Sequence, residues 1–61
     1  MNALKELRLE KKISQNQLAN AIQVTPKYIS FLENGERTPS LDIAKKIASY
    51  FGKTIEEVFL P

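Results

Sequence analysis

Apolar residues recur along this chain at helical spacing, in five short blocks separated by polar breaks. Leu4 and Leu7 form the first stripe, Leu18 and Ile22 the second, and Ile29 and Leu32 the third. Leu41, Ala44, Ile47, Ala48 and Phe51 form a longer fourth stripe, and Val58 in a short fifth block closes the core. Spacings of three and four place each set on one helical face. Start signals sit before these blocks. Ser14 with Gln17, and Thr54 with Glu57, have the spacing of capping boxes. Thr25 precedes Pro26, which suits the first helical position because its missing N–H has no partner there anyway. Ser40 opens the fourth block, and glycines follow the third and fourth as left-handed C-caps at Gly35 and Gly52. Ile13 with Leu18, and Val24 with Ile29, have the spacing of hydrophobic staples. The pattern predicts an all-α domain with helices over about 2–11, 15–22, 26–33, 41–51 and 55–59.

The segment from Ser14 to Asn34 organises the rest. Only about two turn residues separate the end of its first helix from the cap of its second. Helices so joined cross steeply, which is the geometry of a helix-turn-helix. Ala19 falls where the two helices approach most closely, and a larger side chain there would push them apart. On the second helix Lys27, Ser30, Phe31 and Asn34 share one side, opposite Ile29 and Leu32, mostly polar but with an aromatic ring.

Sixty-one residues make one domain, small enough that it buries only about 60% of its unfolded surface. There are no cysteines and no histidines, so disulfides are excluded and the usual zinc ligand sets are missing. No cofactor is expected. No apolar run nears the roughly 20 residues needed to span a bilayer, and the N-terminus lacks a signal-peptide pattern. The chain reaches only Pro61, so no separate effector domain is expected. The net charge of +2 is modest. It is unevenly spread, with Lys11, Lys12, Lys27 and Arg37 near the proposed helix-turn-helix and Glu56 and Glu57 at the far end. That balance permits a nucleic-acid partner without requiring one. The remaining carboxylates and lysines are dispersed, with no spacing that suggests a nucleophile and its base, so an enzyme is not expected.

Several stretches carry a resemblance. They are Ser14-Gln15-Asn16-Gln17-Leu18-Ala19, Val24-Thr25-Pro26-Lys27-Tyr28-Ile29-Ser30 and Leu32-Glu33-Asn34-Gly35. With Leu7-Arg8 upstream, and Pro39-Ser40-Leu41 and Phe51-Gly52 downstream, they resemble the lambdoid phage repressor and Cro family, the Xre-type DNA-binding domains. The likeness covers nearly the whole chain. It implies a compact five-helix fold and a transcriptional regulator, most simply a repressor, acting in the cytoplasm of a cell without a nucleus. It implies double-stranded DNA as partner and a two-fold homodimer on a palindromic operator, with reading helices about 34 Å apart. A restriction–modification controller or an antitoxin would share the same chemistry. A protein-interaction adapter on the same fold is the reading from another class.

The resemblance also assigns residues. Arg8 would pair with Glu33 and tie the first helix to the third. Gln15 would bond a phosphate and brace the reading helix, helped by the anion preference of a helix N-terminus. The reading helix would enter the major groove with its N-terminal half, from Thr25 and Pro26 onward. There Lys27 can donate to guanine or phosphate, and Ser30 can donate or accept. Phe31 either touches thymine methyl groups or tucks against Glu36 and the following loop. Tyr28 either reaches a phosphate or packs over the start of helix two. Asn34 and Arg37 would hold the backbone across the groove, which positions the protein without reading sequence. Tyr50, Phe59 and Leu60 are candidates for the dimer surface, with Phe59 alternatively closing its own core. One departure is Gln23, where the family usually has glycine. A side chain at positive φ there costs about 1 kcal/mol.

Overall fold

A computed structural model describes residues 2–60. Five helices follow one another: α1 (Leu4–Glu10), α2 (Gln15–Ile22), α3 (Pro26–Glu33), α4 (Leu41–Phe51) and α5 (Ile55–Phe59), with no strand among the described residues. None of these helices is long and apolar enough to cross a membrane. The helices pack into a body of 23 × 22 × 19 Å. Every helix contributes to one core: Leu4 from α1, Leu18, Ala19 and Ile22 from α2, Ile29 and Leu32 from α3, Ile47 and Ala48 from α4, and Val58 from α5. The most extensive contact is between α2 and α3, with α1 packed on α3 and α5, and α4 on α2 and α5. Ala19 is fully buried, as expected of a residue at the α2–α3 crossing.

The caps are built as the sequence predicts. Ser14 accepts the Gln17 N–H at 3.0 Å while the Gln17 side chain accepts the Ser14 N–H at 2.7 Å. Thr54 and Glu57 form the same reciprocal pair at 3.1 and 2.8 Å. Thr25 accepts from the Tyr28 N–H at 3.1 Å, and Ser40 from the Ile43 N–H at 3.3 Å. Ile13 and Val24 both pack against the core, where the staples would put them. The Glu57 carboxylate of α5 faces solvent, and its pKa is lowered chiefly by the hydrogen bond it accepts from the Thr54 backbone N–H.

The helix ends share one device. After α1, α2, α3 and α4 the chain turns through a left-handed residue: Lys12 (φ 58°), Gln23 (φ 62°), Gly35 (φ 75°) and Gly52 (φ 66°). In each case the next N–H reaches back to a carbonyl of the last turn: Ile13 to Arg8, Val24 to Ala19, Glu36 to Phe31 and Lys53 to Ala48. This is the Schellman arrangement, which satisfies carbonyls the helix leaves open. Two of the four positions are glycine. Gln23 adopts the conformation anticipated for it, whereas nothing local marked Lys12.

Two expectations need correction. The first helix is shorter than 2–11. The Asn2 side chain accepts the Leu4 N–H at 3.0 Å and donates to the Leu32 carbonyl at 2.8 Å, and the Ala3 N–H bonds the Val58 carbonyl at 2.8 Å. The two long-range bonds, to Leu32 and Val58, hold residues 2 and 3 outside the helix, and Lys11 is already the C-cap. Leu41 was expected in the core but is 63% exposed. Its angular position suits the α4 stripe, yet it sits in the first turn, ahead of the buried Ala44, Ile47 and Ala48.

Candidate nucleic-acid interface

The outer face of α3 has its orientation set from beneath by a buried charge network. Arg8 and Glu33 are each 8% exposed. The Arg8 Nε donates to Glu33 Oε2 at 2.6 Å and Nη2 to Oε1 at 3.3 Å, while Nη1 donates to the Ile13 carbonyl at 2.9 Å. The fork therefore clamps the end of α3 to α1 and to the entry of α2, a geometry suited to a planar guanidinium. No buried side-chain polar atom among the described residues lacks a partner.

Gln15 joins this network. Its Nε2 donates to Glu33 Oε1 at 3.1 Å, so the half-buried glutamine bridges the N-terminus of α2 to the C-terminus of α3. It is therefore not a freely solvated side chain. Its amide oxygen and second N–H proton are left for another partner. With Ser14 capping the Gln17 N–H, the backbone N–H groups of Gln15 and Asn16 have no intrahelical acceptor. A helix start of this kind favours an anion.

On the outside of α3, Lys27, Phe31 and Arg37 converge. The Lys27 ammonium lies 5.7 Å from the centre of the Phe31 ring and the Arg37 guanidinium 5.3 Å from it. Both distances are within cation–π range. Phe31 is half-buried, so it is less exposed than its helical position alone suggested. The loop covers it through Arg37, while Glu36 contributes only a backbone N–H to the Phe31 carbonyl. Thr25, Lys27, Tyr28, Phe31 and Arg37 line an open recess of about 200 Å³. Tyr28 both borders this recess and packs on the core. Thr25 and Pro26 are exposed at the helix start, Ser30 is half-buried, and Asn34 is exposed with a long 3.4 Å contact to Glu36. A larger open groove of about 540 Å³ lies between Ala21, Ile22, Gln23 and the α4 residues Lys45, Lys46, Ser49 and Tyr50. It shares no residue with α3.

The three residues suggested for pairing behave differently. Leu60 is 73% exposed and Tyr50 is 37% exposed. Tyr50 stacks edge-on against Phe51 at 5.1 Å and carries the Lys11 ammonium at 5.3 Å. Phe59 is half-buried on its own core. Sequence reasoning did not single out the Lys11–Tyr50 contact, which joins residues far apart in the chain.

Known proteins agree with this architecture. A helix-turn-helix family description matches residues 4–58. An HTH-type transcriptional regulator of Archaeoglobus fulgidus is 40% identical over 57 residues, covering 93% of this chain and 80% of its own. The control protein C.MunI of a Mycoplasma species is 42% identical over 59 residues, covering 95% and 80%. The cryptic phage CTXphi transcriptional repressor RstR of Vibrio cholerae is 31% identical over 55 residues, covering 90% of this chain and 50% of its own. On its five-helix fold, its matched span and these relatives, the chain belongs to the Xre-type helix-turn-helix family of transcriptional regulators.

Proposed function

We propose that this chain is a sequence-specific double-stranded DNA-binding regulator, and that it represses by occupying a palindromic operator as a dimer in the cytoplasm. The observation that carries the reading is the convergence of Lys27 and Arg37 on Phe31 at the outer face of α3. A major groove admits a helix of this size, and its phosphate ridges are complementary to those cations. Lys27, Ser30 and Phe31, with Thr25, Pro26 and Tyr28 at the helix start, face base edges or the near ridge. Gln15 and the open N–H groups of α2 take one phosphate, and Asn34 and Arg37 take the opposite strand. The Arg8–Glu33–Gln15 network holds these two sets in register. The role is binding, and no residue is assigned to catalysis. Relatives named as a control protein and as a transcriptional repressor support a repressive role or a controller role on the same chemistry.

One recognition helix reads few base pairs, so two copies on half-sites about 34 Å apart supply selectivity. Tyr50, Leu60 and the open edge of Phe59 are the proposed pairing surface. Titration with genomic fragments at low and moderate salt tests the reading. Specific binding should fall steeply as salt rises, because phosphate contacts release counterions. Lys27→Ala combined with Ser30→Ala should abolish preference for the selected fragment while leaving the melting temperature in place. Absence of any preferred fragment would point to an adapter. Sedimentation showing a strict monomer, free and on a palindromic site, would remove the dimer.

A further inference from the structure

We infer that the recess beside Phe31 is a thymine site, in which the C5 methyl group rests on the Phe31 ring and O4 accepts a hydrogen bond from Lys27. The inference builds on the proposed entry of α3 into the major groove and goes further, since it names the base. The recess of about 200 Å³ suits one base edge. Its wall is a half-buried aromatic ring with two cations, 5.7 and 5.3 Å from the ring centre, and its lining includes no carboxylate. The Thr25 hydroxyl oxygen already accepts the Tyr28 N–H. The charged groups there, Lys27 and Arg37, are N–H donors only, and the Thr25 and Tyr28 hydroxyls add neutral groups that can donate as well as accept.

The four major-groove edges differ in what they bring to such a wall. Cytosine and adenine present an amino donor, which meets cations unfavourably. Guanine presents two acceptors but nothing apolar for the ring. Thymine alone combines a methyl group with an adjacent acceptor. Phe31 thus does two things: it supplies the apolar surface, and its π face holds the Lys27 ammonium beside the position O4 would occupy.

The test starts from duplexes selected from a random pool by the full chain. Each thymine of the selected half-site is replaced in turn by deoxyuridine, which removes only the methyl group. Each T·A pair is also replaced by 5-methylcytosine·G, which keeps the methyl group and exchanges O4 for an amino group. At one thymine per half-site, deoxyuridine should weaken binding about fourfold, the factor expected for transfer of a single methyl group. The 5-methylcytosine exchange there should weaken it about fivefold or more, the lower end for a mismatched edge. Phe31→Ala should bind the thymine and deoxyuridine duplexes equally, and Phe31→Leu, which restores an apolar contact, should recover part of the difference. Selection of a defined sequence with no deoxyuridine-sensitive thymine overturns the thymine site alone. So does a Phe31→Ala protein that keeps the full difference. A pool that enriches nothing overturns the DNA reading as well.

Discussion

Removing the Arg8 guanidinium should cost this domain most of its stability. Arg8→Met keeps much of the aliphatic stem but deletes three hydrogen bonds, two to Glu33 and one to the Ile13 carbonyl. Glu33, 8% exposed, is then left with Gln15 as its remaining side-chain partner. Stranding one charge of a buried pair costs about 3–5 kcal/mol. A chain of 61 residues has a total stability on the order of 3–9 kcal/mol, from about 0.05–0.15 kcal/mol per residue. A loss of about 3 kcal/mol would lower the melting temperature by roughly 12 °C or more, at about 4–8 °C per kcal/mol for a domain of this size. The Arg8→Met/Glu33→Leu double variant has no stranded charge, so it should recover much of the loss. Circular dichroism melts and urea titrations of the wild type, both single variants and the double variant complete a cycle whose interaction energy isolates the pair. Additive single effects, or an Arg8→Met cost under about 1 kcal/mol, would refute the view that this network is a principal tie between α1 and α3.

Three further outcomes follow from the same geometry. Gln23→Gly should raise stability by up to about 1 kcal/mol in a thermal melt, because the native φ of 62° strains a side chain more than it strains glycine. Ala19→Leu should lower stability by about 1–3 kcal/mol in denaturant titration, since Ala19 is fully buried in the core that α2 and α3 share. On acidification, the α5 capping box should weaken: the folded pKa of Glu57 lies below the ordinary 4.5, so its stabilising contribution is present above that value and is lost as pH falls through the folded pKa. Amide exchange in α5, compared between Thr54→Ala and wild type across that window, checks the sign.

The bounds of α2 through α5 and all four side-chain caps were legible because each depends on residues within one turn of one another. A cap serine and the N–H it accepts are three positions apart, so periodicity and spacing are enough to find both. Gly35 and Gly52 were readable for the same reason: a residue without a Cβ just past an apolar stripe is a local signal. Lys12 carried no such signal, since its left-handed turn is imposed by the need to aim α1 and α2 at a common core. The Arg8–Glu33 pair was anticipated only through resemblance, because no local pattern links residues 25 positions apart.

By itself, then, the order of residues determined an all-α chain, where most of its helices begin and end, and which face of α3 is polar. Folding decided what long-range contacts make of those helices. Asn2 leaves α1 to bond a carbonyl 30 residues away, Leu41 lies too near the start of α4 to be covered, and Gln15 leans on Glu33. Folding also surrounds Phe31 with two cations, one from its own helix and one from the loop beyond it. The physical reason is range: caps and periodicity act through the next turn of backbone, whereas burial and ion pairing depend on which distant segments the core brings together.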